Sequence, residues 1–252
     1  DDGWFRPVNI KLGPDGALYV SDFYNRIIGH YEVDLHHPGR DKQRGRIWRI
    51  VYKGSGATAV PTEKFDLTRA SIGQLIDDLA SPNLTIRMMA MNRLADVIGQ
   101  PAAGPLKAVV EATANPFQKV HGMWVLYRLG ALGQPMLTSA AADQRAIVRI
   151  HAMRMLGEMR DWQTADRELA LGGLKDADPA VRRLAAEALG RHPAFDNIRP
   201  LLDLRNRSDN DPFLTYGVRI ALRDQLLGHD VGAQLAAAPL SERDDRDLAD
   251  VA

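Results

Sequence analysis

Arg6, Asp15, Asp22, Arg26 and His30 are the polar residues near the start of the chain whose placement could support chemistry. Asp22 closes one strand-like run and Arg6 opens another, and these two are the candidates for catalytic roles. A plainer reading stands beside this one. Asp15 next to Gly16 is turn chemistry. Asp22 would then bond nearby backbone in a closing turn, while Arg6 and Arg26 pair locally. His36 and His37, with Asp34 and Asp41, carry metal-binding side chains, but their spacing matches no ligand pattern and Pro38-Gly39 follows at once. The stretch Asp34–Arg44, with Arg40, Lys42 and Arg44, reads as a long polar loop of the kind that carries function. No metal site is expected. No Gly-x-Ser-x-Gly elbow, phosphate-binding loop or dinucleotide fingerprint occurs.

Strands must position these residues. Val8, Ile10 and Leu12 alternate with polar neighbours, Pro14-Asp15-Gly16 makes a tight turn, and Leu18 and Val20 lie on the return strand. A further strand is predicted over Gly45–Tyr52. An open sheet of three or four strands with apolar faces needs neighbours to cover it. The chain therefore reads as a piece from the junction of two larger architectures. Gly54-Ser55-Gly56 and Pro61 mark a linker over 54–64, and everything beyond residue 65 reads as helix.

The helical part repeats. Asn115-Pro116-Phe117, Asp178-Pro179-Ala180 and Asp211-Pro212-Phe213 each open an apolar helix, with Gly122, Ala185 and Val218 six positions beyond the proline. With Ala90 and Ala152 the steps are 32, 30, 33 and 33 residues (90 to 122, 152, 185 and 218), the period of helical-pair solenoids. Asp178 is placed to cap a helix and Pro179 to begin it. Ala185 is placed at a tight contact between helices. Arg87, Arg149 and Arg182 recur just before the small position. They are either a basic ladder for an acidic ligand or an interior ladder bonding helix-end carbonyls and acids of adjacent repeats. Trp124 and the methionines at 88, 89, 91, 123, 153, 155 and 159 are expected in the core, and His121 and His151 are expected to pack between repeats. The expected fold is mainly α: a right-handed-type solenoid of about five helical pairs over 65–230, preceded by a small antiparallel sheet over 1–53. A further helical segment starts within 231–252.

Composition agrees with a folded segment: 252 residues, 45% hydrophobic and 25% charged. Lys+Arg and Asp+Glu both number 32, for zero net charge, so no nucleic-acid footprint is present. No apolar run approaches the roughly twenty residues that span a bilayer. The absence of cysteine rules out disulfides, thiolate zinc sites and covalent haem attachment within these residues.

Two stretches carry resemblances. Asp178-Pro179-Ala180-Val181-Arg182-Arg183-Leu184-Ala185 through Gly190 resembles a HEAT repeat, which favours the interior role for the arginines. Arg6–Asp22, with Phe23–His30 and His37–Ile50, resembles a blade of the glucose/sorbosone-dehydrogenase type of β-propeller. Together they are similar to the membrane-bound dehydrogenase family of planctomycetes and verrucomicrobia, where a propeller is followed by HEAT repeats and a c-type haem module with a Cys-x-x-Cys-His motif. The resemblance implies a terminal blade closing a propeller, with the HEAT array as spacer or scaffold to the next module. For the parent protein it implies pyrroloquinoline quinone, calcium and c-type haem, and a periplasmic or membrane-associated location. Arg6, Asp22, Arg26 and His30 become the cofactor-binding candidates. The implied partners are the remaining blades, the haem module and a protein on the HEAT surface. This chain by itself is expected to hold no cofactor and not to be an enzyme. The alternative is a HEAT and propeller scaffold that binds protein or polysaccharide with no redox role.

Overall fold

The computed structural model describes residues 2–29, 32–54, 66–208, 210–228 and 231–252. The chain forms two compact units, Asp1–Pro105 and Leu106–Ala252. The first holds one antiparallel sheet in the order β1 (Pro7–Leu12), β2 (Leu18–Asp22), β3 (Arg46–Ile50). Gly13 and Ala17 close the β1–β2 hairpin through a hydrogen bond of 2.7 Å from Gly13 N–H to the Ala17 carbonyl. Gly16 sits at φ 79°, a left-handed conformation that glycine adopts without a Cβ clash. Asp15 Oδ1 accepts the Ala17 N–H at 3.1 Å and Oδ2 accepts the Tyr19 hydroxyl at 3.0 Å, so Asp15 holds the turn.

The pairing register places Ile10 opposite Val20, and Val20 opposite Trp48; Leu12, Leu18 and Ile50 form the next row. Period-two alternation therefore gathers these six side chains on one face. Of them only Val20 is buried, at 5% exposure, whereas Ile10 is 61% and Ile50 53% exposed.

The same unit contains α1 (Ile72–Asp78) and α2 (Leu84–Asn92). Asn83 caps α2 by accepting the Thr85 N–H at 2.8 Å, and its amide donates to the carbonyls of Gly13 at 2.9 Å and Pro14 at 3.2 Å. One side chain thus caps a helix and clasps the hairpin turn. Residues Arg93–Ile98 continue α2 as a π-helical turn that ends at Gly99.

The second unit contains α3 (Ala103–Ala112, beginning just before it), α4 (Pro116–Arg128), α5 (Gln134–Ala141), α6 (Ala146–Glu158), α7 (Thr164–Gly173), α8 (Pro179–Arg191), α9 (Ile198–Arg205), α10 (Pro212–Leu226), α11 (Val231–Ala236) and α12 (Glu242–Ala249). Helices α4, α6, α8 and α10 pack each on the next, and α7 and α9 back α8 and α10. This is a HEAT-like α-solenoid. Side-chain caps from Asn115, Asp178 and Asp211, each followed by proline, start α4, α8 and α10. Ala90, Gly122, Ala152, Ala185 and Val218 are all buried. Gly173 of α7 lies so close to α8 that a Cβ added there would stand 2.8 Å from Ala185 Cβ. The tight contact expected at Ala185 is therefore between α7 and α8.

The methionines divide. Met123, Met153 and Met155 are buried, but Met88 and Met89 are exposed. Those two correct the expectation of a uniform core stripe, because α2 buries only its Arg87 and Ala90 side.

Candidate functional site

Asp22 is buried at the end of β2, and both carboxylate oxygens are engaged. Oδ1 accepts the N–H groups of Arg6 at 2.7 Å and Tyr24 at 2.9 Å, and Oδ2 accepts the Trp48 indole N–H at 2.9 Å. Burial disfavours its charge, but these hydrogen bonds, with Arg46 nearby, outweigh burial and hold its pKa below the ordinary carboxylate value. Asp22 thereby ties the start of β1, the chain after β2 and the side chain of β3 together. Tyr24 follows at φ 44°, a strained value for an aromatic residue. Its N–H bond to Asp22 fixes it there, and the Arg46 guanidinium lies 3.4 Å from its ring centroid.

The other candidates of this segment do not join Asp22 around a common space. The Arg6 guanidinium donates to its neighbouring Phe5 carbonyl at 3.0 Å. Arg26 is exposed, and His30 lies outside the described residues. Sequence reasoning missed Asn25, which with Arg40 organises the following loop. Buried Asn25 donates to the Asp41 carbonyl at 2.7 Å. Arg40 donates to the carbonyls of Asp34 at 2.9 Å, Val33 at 2.7 Å and Gly29. His36 pairs with Asp34 at 3.3 Å, with both side chains exposed. Among the described residues no group of three or more His, Asp or Glu is placed to hold a metal.

The arginine ladder has one geometry repeated along the helices. Arg87 donates to the carbonyls of Ser81 at 2.6 Å and Pro82 at 3.1 Å. Arg149 does the same to Asp143 at 2.8 Å and Gln144 at 3.1 Å, and Arg182 to Asp176 at 2.7 Å and Ala177 at 2.9 Å. Each arginine thus satisfies the carbonyls just before its own helix. Acids join adjacent repeats. Asp176 receives both Nε and Nη2 of Arg149, at 2.7 and 2.9 Å, and Asp143 receives Lys119 Nζ at 3.0 Å. Hydrogen bonds from Arg145, with Lys119 adding charge, hold the Asp143 carboxyl well below the ordinary range; Arg149 does so for Asp176. Thr215, where the pattern lacks an arginine, donates its hydroxyl to the Ser208 carbonyl at 2.7 Å. The acids had a signal in the sequence that was not used: Asp143, Asp176 and Asp209 are spaced 33 apart. Asp209 lies outside the described residues.

Between α4 and α6, the Trp124 indole donates to His151 Nδ1 at 3.0 Å, so that nitrogen carries no proton. Burial, then Arg154, pushes the His151 pKa down, keeping the acceptor neutral. Further along, α8 and α10 enclose a groove of about 410 Å³ lined by Arg183, Glu187, Phe213, Tyr216 and Ile220 among others.

A family model described as HEAT repeats matches residues 134–223, and a domain of unknown function, DUF7133, matches residues 1–54. Residues 134–223 are thus identified as HEAT repeats by sequence as well as by their stacked helical pairs. No curated protein matches the chain. A solved structure described as an engineered protein is 16% identical over 71% of this chain and 94% of that chain, with a TM-score of 0.41. Among the described residues no helix is long and apolar enough to cross a membrane.

Proposed function

We propose that the chain is a non-catalytic segment of a quinoprotein-like dehydrogenase or electron-transfer protein, closing a sugar-dehydrogenase-type propeller and spacing it from the next module through its HEAT array. The observation that carries this reading is the sheet. Its three strands pair with one another, yet Ile10, Leu12, Leu18, Trp48 and Ile50 remain exposed on one face. An apolar face of this kind marks a surface built to be covered, as a blade is by its neighbours. Asp22 fits the same role, since its carboxylate organises strand ends and is not available to a substrate. In the parent, quinone, calcium and haem would belong to the other blades and the haem module.

The test is to purify the chain, add calcium and pyrroloquinoline quinone, and follow dye reduction with a panel of sugars and alcohols. No turnover above a quinone-only blank is expected. Turnover abolished by Asp22→Ala or Arg6→Ala would overturn the assignment and make those residues catalytic. A second reading, an interaction scaffold without a redox role, is favoured by the groove between α8 and α10.

A further inference from the structure

Helix α10 carries two apolar stripes. Leu214, Val218, Ala221 and Leu222 are buried in the array. Phe213, Tyr216 and Ile220 recur at i, i+3 and i+7 and line the groove shared with α8. Phe213 is 80% and Tyr216 68% exposed. At the corresponding places stand Ala180, Arg183 and Glu187 on α8, and Phe117, Val120 and Trp124 on α4; the apolar stripe thus recurs on α4, but Phe213 is 80% exposed where Phe117 is 44%.

The charges of the groove are almost all matched. Arg191 pairs with Glu187 and with Glu158, each at 2.8 Å, and Asp224 pairs with Arg223 at 2.7 Å. Arg183 is the exception: it is exposed and forms no ion pair among the described residues. Its stem lies against Gly217, where an added Cβ would come within 3.0 Å of Arg183 Cγ. An arginine without an ion pair among the described residues, beside two exposed aromatics, is the composition found at the centres of protein interfaces. It complements an acidic group next to an apolar one.

We propose that the α8–α10 groove binds an extended peptide segment of a partner protein, taking an apolar side chain between Phe213, Tyr216 and Ile220 and pairing an adjacent carboxylate with Arg183. The proposal rests on the scaffold reading of the helical array and adds to it the place of contact and the chemistry of the partner.

The probe is a phage-displayed library of random dodecapeptides selected on the full chain. Enriched peptides are then synthesised and titrated by fluorescence anisotropy. Enriched sequences should share an apolar residue beside Asp or Glu. Arg183→Glu and Phe213→Ser should each weaken binding at least about tenfold, with circular dichroism unchanged because both side chains are exposed. Phe117→Ser, on α4 away from the groove, should leave affinity unchanged. Peptides whose affinity ignores both groove variants would overturn the groove and leave the scaffold reading standing. An empty selection would overturn both. A concentration-dependent dimer in sedimentation, lost in Phe213→Ser, would assign the groove to a second copy of this chain and overturn the peptide.

Discussion

The sheet and the helical array solve the problem of apolar surface in opposite ways. In the array, α6, α8 and α10 stack so that Leu156, Ala185, Leu189 and Leu222 are buried by the repeats themselves. In the sheet, β1 and β3 expose every side chain, and among the described residues of its strands and turns only Gly13, Ala17, Val20, Asp22 and Asn25 are buried. Polar clasps define the sheet in place of a core: Asp15 in the turn, Asp22 across the strand ends and Asn83 from α2. A repeat architecture brings its own cover with each added pair, whereas a single sheet depends on what is placed against it.

That contrast is broken most directly by emptying the array's core. Leu156→Ala should cost about 2–5 kcal/mol, because a fully buried leucine leaves both lost transfer energy and a cavity. Urea denaturation followed by circular dichroism measures it. Ala185→Leu should cost about 1–3 kcal/mol by forcing extra methylenes between α7 and α8, and a thermal melt would show it. Arg182→Ala should cost about 1–3 kcal/mol, since it leaves the carbonyls of Asp176 and Ala177 without their charged donor. An unchanged melting midpoint would return the arginines to the role of surface ligand-binders.

Acid sharpens the comparison further. The carboxyls of Asp143 and Asp176 titrate below their unfolded value because Arg145 and Arg149 bond their charged forms. Their contribution is fully present above the unfolded pKa of about 3.9 and is lost as pH falls through the lower folded values. Stability should therefore fall on acidification from about pH 5 downward. Asp143→Asn should lower stability at neutral pH and flatten that acid limb, as read from melts across pH. The smallest effect belongs to the sheet: Ile10→Ser should change stability by no more than about 0.5 kcal/mol, while reducing self-association in sedimentation. A large loss of stability would mean that the face is covered within the chain after all.

Much of this was legible from local pattern. The Pro14-Asp15-Gly16 turn, the caps at Asn115, Asp178 and Asp211 and the recurring small residues depend on atoms a few positions apart, and their spacing is enough to place them. The interior role of Arg149 and Arg182 was legible as one of two alternatives. The groove on α10 was not, since Phe213 and Tyr216 look like any other apolar pair until α8 is set beside them. Met88 and Met89 misled for the same reason: helical spacing shows that residues share a side of a helix, but not whether anything packs against it.

The sequence by itself determined the class of each element, the period of the helical pairs and where most helices begin, because caps, turns and periodicity are short-range hydrogen-bonding and steric effects. Only the tertiary structure decided that Asp22 is engaged by Arg6 and Trp48, that Trp124 meets His151, and that Arg183 lines one groove with Phe213 and Tyr216. Those contacts join residues far apart in the chain. Their geometry follows from how closely helices and strands approach, which small residues such as Gly173, Ala185 and Gly217 permit but do not announce.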